Sequence, residues 1–308
     1  GLGDVYKRQE QNGVLLYDVM TERFEITTLL QKELSLIPDV FGALEKGTLE
    51  DPAITKESVH HFFKYVSGNP LIRPAWFFDT EQQGEGIVDV STHLVDLVQW
   101  ECFPEEIIDY ENEVEILEAK RWPTVFDPEM FASVTGLDDF PAYLEKDIVD
   151  GKLHAFSNGA FTYSIRGVHA RVSVIWNYKA PEGTGDTHYS IMRGSKANLV
   201  IRQGEAEGFV PTLYIEAVSD ADIAEAAGTA VNQSLQQKYA GISLVPVSEG
   251  VWKVDVPDKY RIGHEAHFGQ VTDRYLEYLE QGKLPDWEVP NMIAKYYTTT
   301  AAFTKALQ

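Results

Sequence analysis

Residues 168–178, VHARVSVIWNY, indicate the kind of fold this chain adopts. Even-numbered positions from Val168 to Trp176 are apolar, and the odd-numbered positions between them are polar except for Ile175. Successive side chains of a strand point to opposite faces, so this alternation predicts a β-strand with one buried face. Such a strand belongs to a sheet that is covered on one side only.

Several neighbouring segments share the same β-rich or alternating character, and turn residues separate some of them. The predicted strands are Val59–Val66, Ile107–Leu117, Leu153–Arg166, Val168–Tyr178, Thr187–Met192, Ala197–Arg202 and Thr212–Ala217. Arg166-Gly167 and the Pro181–Gly185 turn predict that the strands they join pair antiparallel. The predicted helices are Ile87–Trp100, Asp220–Ala240, Glu265–Gln281 and Val289–Leu307, with Gly282 as a stop signal.

The first fifty residues have a different pattern. Gly13–Met20 is a short apolar run that we interpret as a buried strand, and Thr21 is placed to cap a following helix. A strand followed at once by a helix is typical of an α/β unit. We therefore expect an α/β part followed by an α+β part: residues 10–50 as the end of a Rossmann-type parallel domain, and 51–308 as a large, open, mostly antiparallel sheet with helices on one face. Residues 264–308 would pack back as closing helices.

The start of the chain has no initiator methionine, and Gly1–Gln9 is typical neither of a signal peptide nor of a helix start. It resembles a leader found on fragmentary environmental translations. We expect these nine residues to be foreign and the protein to be truncated at its N-terminus. The Gly1-x-Gly3 pattern lacks a preceding strand and has Tyr6 at its third glycine position, which argues against a dinucleotide loop.

Composition excludes several classes of protein. With 26 basic and 48 acidic residues the formal charge is −22, which disfavours binding to nucleic acid or to anionic membrane surfaces. No apolar run reaches the ~18 residues that a membrane-spanning helix needs. The single cysteine, Cys102, cannot form an internal disulfide, so it does not indicate the redox compartment.

The stretch Gly84–Trp100, GEGIVDVSTHLVDLVQW, is the most informative for function. On a helix, Asp89, His93 and Asp96 would form a polar stripe beside an apolar one. A carboxylate one turn from a histidine can raise its pKa towards neutrality and fix its tautomer, as general acid–base chemistry requires. The alternative is structural: Asp89 would be a first-turn acid favoured by the helix dipole, and His93 a half-buried residue.

This stretch resembles the G-G-G-x-x-x-D-x-G-x-H-x-x-D segment of the Gfo/Idh/MocA oxidoreductases. Val14–Phe24 is similar to that family's last Rossmann strand and the arginine after it, and Ala75–Asp79 to its W-R-x-D lead-in. Arg193–Ala197 resembles its G-T-x-G turn, and His264–Leu307 its closing helices. The runs at His60–Tyr65 and Gln82–Val90 resemble a Bacteroidota branch of oxidoreductases within it.

The resemblance implies an NAD(P)-dependent enzyme, with NAD or NADP as cofactor, that moves hydride to or from a sugar or polyol. His93 and Asp89 match the family's catalytic pair, with His93 exchanging the hydroxyl proton. Asp96, Trp76 and Arg23 are candidate substrate-binding residues. Arg23 is equally compatible with a solvated charge, and Trp76 with the core. The phosphate-binding loop and the lysine of the family's E-K-P loop would lie upstream of Gln9.

Two departures from the family pattern concern the substrate contacts: Ser91 replaces a glycine, and Phe77 replaces the arginine after Trp76. The resemblance also leaves two other functions open, an NAD-dependent glycosidase and a non-catalytic sugar-binding or assembly protein. A homo-oligomer is expected. The cytoplasm is the default location, with the periplasm as the alternative. His264 and His267 lack the spacing of a strong metal motif, so we expect no metal site.

Overall fold

A computed structural model describes residues 2–66, 68–219 and 221–308. Within these residues ten strands form one open sheet in the order β11-β12-β10-β9-β8-β1-β7-β6-β4, with β5 beside β6, and β2 and β3 pair separately. The strands are β1 Ile54–Phe63, β2 Tyr65–Val66, β3 Asn69–Pro70, β4 Val114–Phe126, β5 Ile148–Val149, β6 Lys152–Ile165, β7 Val168–Lys179, β8 Thr187–Arg193, β9 Ala197–Gln203, β10 Thr212–Ala217, β11 Ser243–Ser248 and β12 Val251–Asp255.

Helices lie before, between and after the strands. The α-helices are α1 Leu2–Gln11, α2 Ile26–Ser35, α3 Thr80–Gln83, α4 Ser91–Cys102, α5 Tyr110–Glu113, α6 Pro128–Thr135, α7 Ala224–Thr229, α8 His264–Gln281 and α9 Glu288–Ala306. Short 3-10 turns include Thr21–Phe24 and Ala75–Phe78. None of the helices in the described ranges combines the length and apolar character needed to cross a bilayer.

The sheet is mixed and mostly antiparallel. The β6–β7 hairpin is confirmed, with Ile165 opposite Val168 across the Arg166-Gly167 turn. The expected pairing of β7 with β8 is wrong, because β1 lies between them, parallel to β7 and antiparallel to β8. The segment between β7 and β8, which contains the Pro181–Gly185 turn, therefore passes across β1. Side-chain alternation predicts that a strand exists, but it does not determine which strand lies beside it.

One face of the sheet packs against helices. Val172 and Val174 of β7 belong to a buried apolar cluster with Leu94 and Val98 of α4 and Ala294 of α9. A second cluster joins α2 to β9 and β10. Val168, Ala170, Val172 and Val174 are buried, as the alternation predicts, whereas Trp176 is half-buried and the odd-numbered Ser173 is buried as well.

The strand predicted at Gly13–Met20 and the helix cap predicted at Thr21 are both wrong. Residues 14–20 form no strand, and Val14 and Val19 are about half exposed. Since none of the described strands runs beside this segment, it has no partner for a ladder. Glu25, rather than Thr21, caps α2 by accepting from the backbone N–H groups of Thr27 and Thr28.

Three other local expectations are also wrong. The strand expected over Ile107–Leu117 begins only at Val114, after the helical turn Tyr110–Glu113. Leu2–Gln11 is helical, although the sequence showed no helix start there, and Gly1 lies outside the described residues. The helix expected over residues 220–240 is a short α7 followed by a π-helical turn at Ala230–Ser234, and Asp220 is also outside the described residues. The proposed foreign origin of the leader and the domain boundary at residue 50 stay predictions.

Candidate active site at the start of helix α4

Two glycines fix the segment that leads into α4. A Cβ on Gly159 of β6 would lie 2.4 Å from the Cβ of Ile87, and one on Gly86 would lie 1.7 Å from the carbonyl oxygen of Ser157. The Gly86 N–H also donates to Phe156 O. Residues 86–90 therefore lie directly on the sheet as a turn, and α4 begins at Ser91, four residues later than predicted. Asp89 lies in this turn, and His93 in the first turn of the helix.

A cavity of about 740 Å³ lies beside this helix start. Its wall is formed by the first turns of α4, residues 22–28, the adjoining parts of β1 and β8, and residues 260–267. Five of the eight histidines line it: His60, His93, His188, His264 and His267. Imidazoles are the side chains best suited to exchange protons near neutral pH.

His93 is half-buried on the cavity wall. Its Nδ1 is buried and has no hydrogen-bond partner in the described structure. Burial lowers the pKa of His93, although the carboxylates of Glu22 and Asp96 oppose this shift. His93 is therefore neutral at physiological pH and able to accept a proton from a ligand.

Asp89 lies close enough to His93 for their charges to interact, but it faces a small neighbouring cleft with Phe62 and Trp176. Its Oδ2 accepts from Nε2 of Gln83 at 3.0 Å. Burial raises the pKa of Asp89, while that hydrogen bond lowers it, as would a protonated His93. The contacts of the described residues include no hydrogen bond between Asp89 and His93, so the orienting role of Asp89 stays a prediction.

Arg23 and Asp96 belong to a buried ion-pair network rather than to the cavity wall. Arg23 donates to Asp96 through Nε at 2.6 Å and Nη2 at 2.7 Å, and to Glu288 through Nη1 at 2.9 Å. Lys295 lies 3.3 Å from Asp96 and 2.6 Å from Asp18. Burial would raise the pKa of Asp96, but Arg23 and Lys295 lower it to about 2. Both predicted substrate contacts thus have protein partners and no opening to the cavity.

Trp76 lies away from the cavity in the 3-10 turn Ala75–Phe78, where its side chain is about half exposed. Its ring contacts that of Phe77. Neither the cavity nor the small cleft includes Trp76 in its lining. The predicted stacking role at a sugar is therefore not supported by its position.

Sequence reasoning missed a polar group on β1 and before β8. Ser58 Oγ lies 2.7 Å from His60 Nε2, and His60 Nδ1 lies 3.6 Å from Asp186 Oδ2. Asp186 also accepts from Lys64 at 2.6 Å and contacts His61 at 3.1 Å. The adjacent pair His60-His61 on a strand was the available signal. Nothing local connects it with Asp186, which is more than 120 residues away.

The protonation states of Asp186 and His188 follow from their surroundings. Burial would raise the pKa of Asp186, but hydrogen bonds with His60, Lys64 and His61 hold it well below its usual range. Burial lowers the pKa of His188 to about 3. Asp186 is thus ionised and His188 is neutral. The described residues contain no group of three or more His, Cys, Asp or Glu side chains that could hold a metal ion.

Comparison with known protein families shows which family the chain belongs to. A model of the family described as "Putative oxidoreductase C terminal domain" matches residues 30–307. The chain belongs to this family. No functionally curated protein matches it.

Solved structures agree with membership of the oxidoreductase C-terminal domain family. The chain is 56% identical to "a putative oxidoreductase from Parabacteroides merdae ATCC 43184", with a TM-score of 0.96 over 99% of this chain and 70% of that one. An oxidoreductase domain protein from Kribbella flavida is 12% identical, with a TM-score of 0.55 over 99% of this chain and 68% of that one. KijD10, a 3-ketoreductase from Actinomadura kijaniata solved with NADP, is 12% identical, with a TM-score of 0.51 over 98% of this chain and 64% of that one. The two distant matches show the fold alone. The family model and the Parabacteroides structure confirm the predicted resemblance to an oxidoreductase C-terminal domain.

Two of the three α-helices that begin on the cavity wall, α2 and α4, do not fit the phosphates of a dinucleotide. Such phosphates bind at free N–H groups where a helix follows a glycine-rich turn. Glu25 occupies the start of α2. At α4, the N–H groups of Thr92 and His93 donate to the carbonyls of Asp89 and Val90. Neither α2 nor α4 therefore offers a phosphate site, whereas α8 begins on the cavity wall at His264, after Gly263, with no side-chain cap.

Proposed function

We propose that this chain supplies the substrate half of an NAD(P)-dependent oxidoreductase that acts on a hydroxyl-bearing carbon of a sugar or polyol. The observation that supports the proposal most directly is a neutral His93 on the wall of a histidine-rich cavity of about 740 Å³. That volume is in the range of small-molecule sites. Family membership and the NADP complex of the distant KijD10 agree with this reading.

His93 lines the cavity and is neutral, so it is suited to exchange a proton with the substrate hydroxyl. When an alcohol is oxidised, the hydroxyl proton must leave while hydride goes to the nicotinamide, which the rest of the enzyme would hold. A neutral imidazole accepts this proton and, in the reverse direction, returns it to the carbonyl oxygen. Asp89 would contact a neighbouring hydroxyl or act on His93 through its charge.

The test uses a complete protein that contains this chain, with the Parabacteroides protein as a reference. Absorbance of the reduced nicotinamide is followed with NAD+ and NADP+ across a panel of sugars and polyols. We expect turnover with at least one of them, and His93→Ala should lower kcat at least about a hundredfold because general acid–base catalysis contributes that much.

His169→Gln is the matched control. His169 lies on the face of β7 opposite the one that packs against the helices, and its Nδ1 contacts the backbone carbonyl of Lys46. It should keep full turnover. If His93→Ala also keeps full turnover, the role of His93 is refuted. Bond cleavage in a glycoside without net reduction of the cofactor would replace the proposal with the NAD-dependent glycosidase. Sugar binding without any turnover would replace it with a binding protein.

A further inference from the structure

Three side chains on the cavity wall follow one another in the order hydroxyl, imidazole, carboxylate. Ser58 and His60 are two residues apart on β1, so they lie on the same face of that strand. Ser58 Oγ lies 2.7 Å from His60 Nε2, and His60 Nδ1 lies 3.6 Å from Asp186 Oδ2. All three residues line the cavity of about 740 Å³. In a nucleophilic triad the two ring nitrogens have these same two kinds of partner.

The charge of Asp186 determines which nitrogen of His60 carries the proton. Burial would raise the pKa of Asp186, but hydrogen bonds with His60 and Lys64 hold it well below its usual range, so the carboxylate is ionised. An ionised carboxylate only accepts, and it therefore favours the tautomer with the proton on Nδ1. Nε2 is then the nitrogen that accepts from the Ser58 hydroxyl. The 3.6 Å contact is longer than a hydrogen bond, and contacts of this kind tighten in the complex with substrate.

The residues around His60 and Ser58 keep this arrangement in place. The His60 ring stacks on that of Trp176, with centroids 4.7 Å apart and an angle of 25° between the planes. His188 lies opposite Ser58 on β8, and burial lowers its pKa to about 3, so it is neutral and adds no charge beside the hydroxyl. His60 is therefore the base that contacts Ser58.

A nucleophile that attacks a carbonyl group also needs donors for the oxygen that becomes negative. α8 begins on the same cavity wall at His264, after Gly263, and the described residues give it no side-chain cap. The N–H groups in the first turn of a helix have no partners within the helix, and the helix dipole favours negative charge there. The wall thus contains a serine with its base and a set of backbone donors.

We propose that Ser58, His60 and Asp186 form a nucleophilic triad that cleaves a small, neutral carboxylic ester bound in the cavity. Leu94, Leu97 and Ile262 give the cavity an apolar side that suits the acyl chain. This activity goes beyond the hydride transfer proposed above and does not depend on it, because it needs no nicotinamide.

The reaction takes place in two steps. Ser58 Oγ attacks the carbonyl carbon while its proton passes to His60 Nε2; the bond to the alkoxy oxygen then breaks, and His60 gives that proton to the leaving alkoxide. The acyl group is now an ester on Ser58 Oγ. Water attacks this ester and gives a proton to His60 Nε2, and Ser58 Oγ takes the proton back as the carboxylic acid leaves. One ester and one water thus give one acid and one alcohol, without an oxidant or a reductant.

A covalent probe tests the nucleophile in the wild type. The complete protein that contains this chain is treated with a fluorophosphonate, which reacts with activated serine hydroxyls, and the modified residue is located by mass spectrometry of its peptides. We expect the adduct on Ser58, whereas Ser248, an exposed serine of β11, should stay unmodified. A Ser58 without adduct would refute the proposal, and this measurement needs no variant to fold.

Ester cleavage is measured as release of p-nitrophenol from p-nitrophenyl acetate and p-nitrophenyl butyrate, without added nicotinamide. Ser58→Ala and His60→Gln should each lower kcat at least about a hundredfold. Asp186→Asn should lower kcat at least about tenfold and leave KM within about twofold, because Asp186 positions His60 and does not touch the ester. Ser164→Ala is the control, since Ser164 is a half-buried serine of β6 outside the cavity, and it should keep full activity.

The outcomes separate this activity from the oxidoreductase function. A wild type that cleaves these esters no faster than Ser58→Ala would refute the serine as nucleophile. Equal rates for His60→Gln and the wild type would refute the triad. Neither result would change the proposed hydride transfer, which is measured by the absorbance of the reduced nicotinamide.

Discussion

Replacing Asp96 by asparagine tests whether its carboxylate stabilises the fold or binds substrate. The carboxylate accepts from Arg23 at 2.6 and 2.7 Å and lies 3.3 Å from Lys295, and all three side chains are buried. Removing one partner of a buried ion pair costs about 3–5 kcal/mol, because the remaining charges lose their compensation. Glu288 and Asp18 still face Arg23 and Lys295, so we expect the lower end, about 3 kcal/mol.

The pKa of Asp96 gives a second value for its contribution to the free energy of unfolding. Burial raises it, but the two cations lower it from 3.8 to about 2. A difference of about 2 units between the unfolded and folded states is about 2–3 kcal/mol. Because the folded-state pKa is the lower one, this stabilisation is complete above about pH 4 and is lost as the pH falls towards 2.

The assay is urea unfolding at pH 7 followed by tryptophan fluorescence. Asp39→Asn is the control, because Asp39 forms an exposed ion pair with Lys196 and should contribute less than about 0.5 kcal/mol. A free energy of unfolding for Asp96→Asn within about 0.5 kcal/mol of the wild type would refute the structural role. Sugar binding lost at unchanged stability would restore Asp96 as a substrate contact.

Three further predictions concern Lys56, Gly159 and His188. Lys56→Met should cost about 3 kcal/mol in urea unfolding because it leaves the buried Glu101 without its cation, and adding Glu101→Leu should recover at least half of that loss. Gly159→Ala should destabilise by about 1–3 kcal/mol through the clash with Ile87, whereas Gly228→Ala, with open space around it, should be neutral or stabilising. Since burial lowers the pKa of His188 to about 3, the unfolded state takes up its proton first, and the wild type should lose about 2 kcal/mol more than His188→Gln between pH 7 and pH 5. Equal pH dependence of those two proteins would contradict a neutral His188 in the folded protein.

Local patterns predicted those parts of the fold that neighbouring residues determine. The β6–β7 hairpin, α8 and α9 depend on alternation, helical periodicity and stop signals, all of which can be read within about 20 residues. The place of β1 between β7 and β8 depends on pairing across more than 100 residues. No local signal carries that information, so the predicted β7–β8 pairing was wrong.

Local patterns likewise predicted some residues of the candidate site, while others come together only through tertiary pairing. Gly84–Trp100 led to His93 because a histidine and two acids at helical spacing are visible in a short segment. Ser58 and Asp186 come together only after β1 and β8 have paired, and this pairing also places His188 opposite Ser58. Arg23 was found in the sequence, but its partners Asp96 and Glu288 lie 73 and 265 residues away. Its structural role could therefore not be separated from a role at the substrate.

Asp89, His93 and Asp96, the polar stripe that the sequence predicts, have different surroundings in the structure. Because the helix begins at Ser91, Asp89 stays in the preceding turn, His93 faces the cavity, and Asp96 reaches the buried cations of Arg23 and Lys295. Those ion pairs connect α4 with α9 and with the 3-10 turn that carries Glu22, a residue of the cavity wall. The same carboxylate thus holds the helix that presents His93 and the segment that closes the cavity beside it. A rigid anchor three residues from His93 would preserve the geometry that its proposed acid–base role requires.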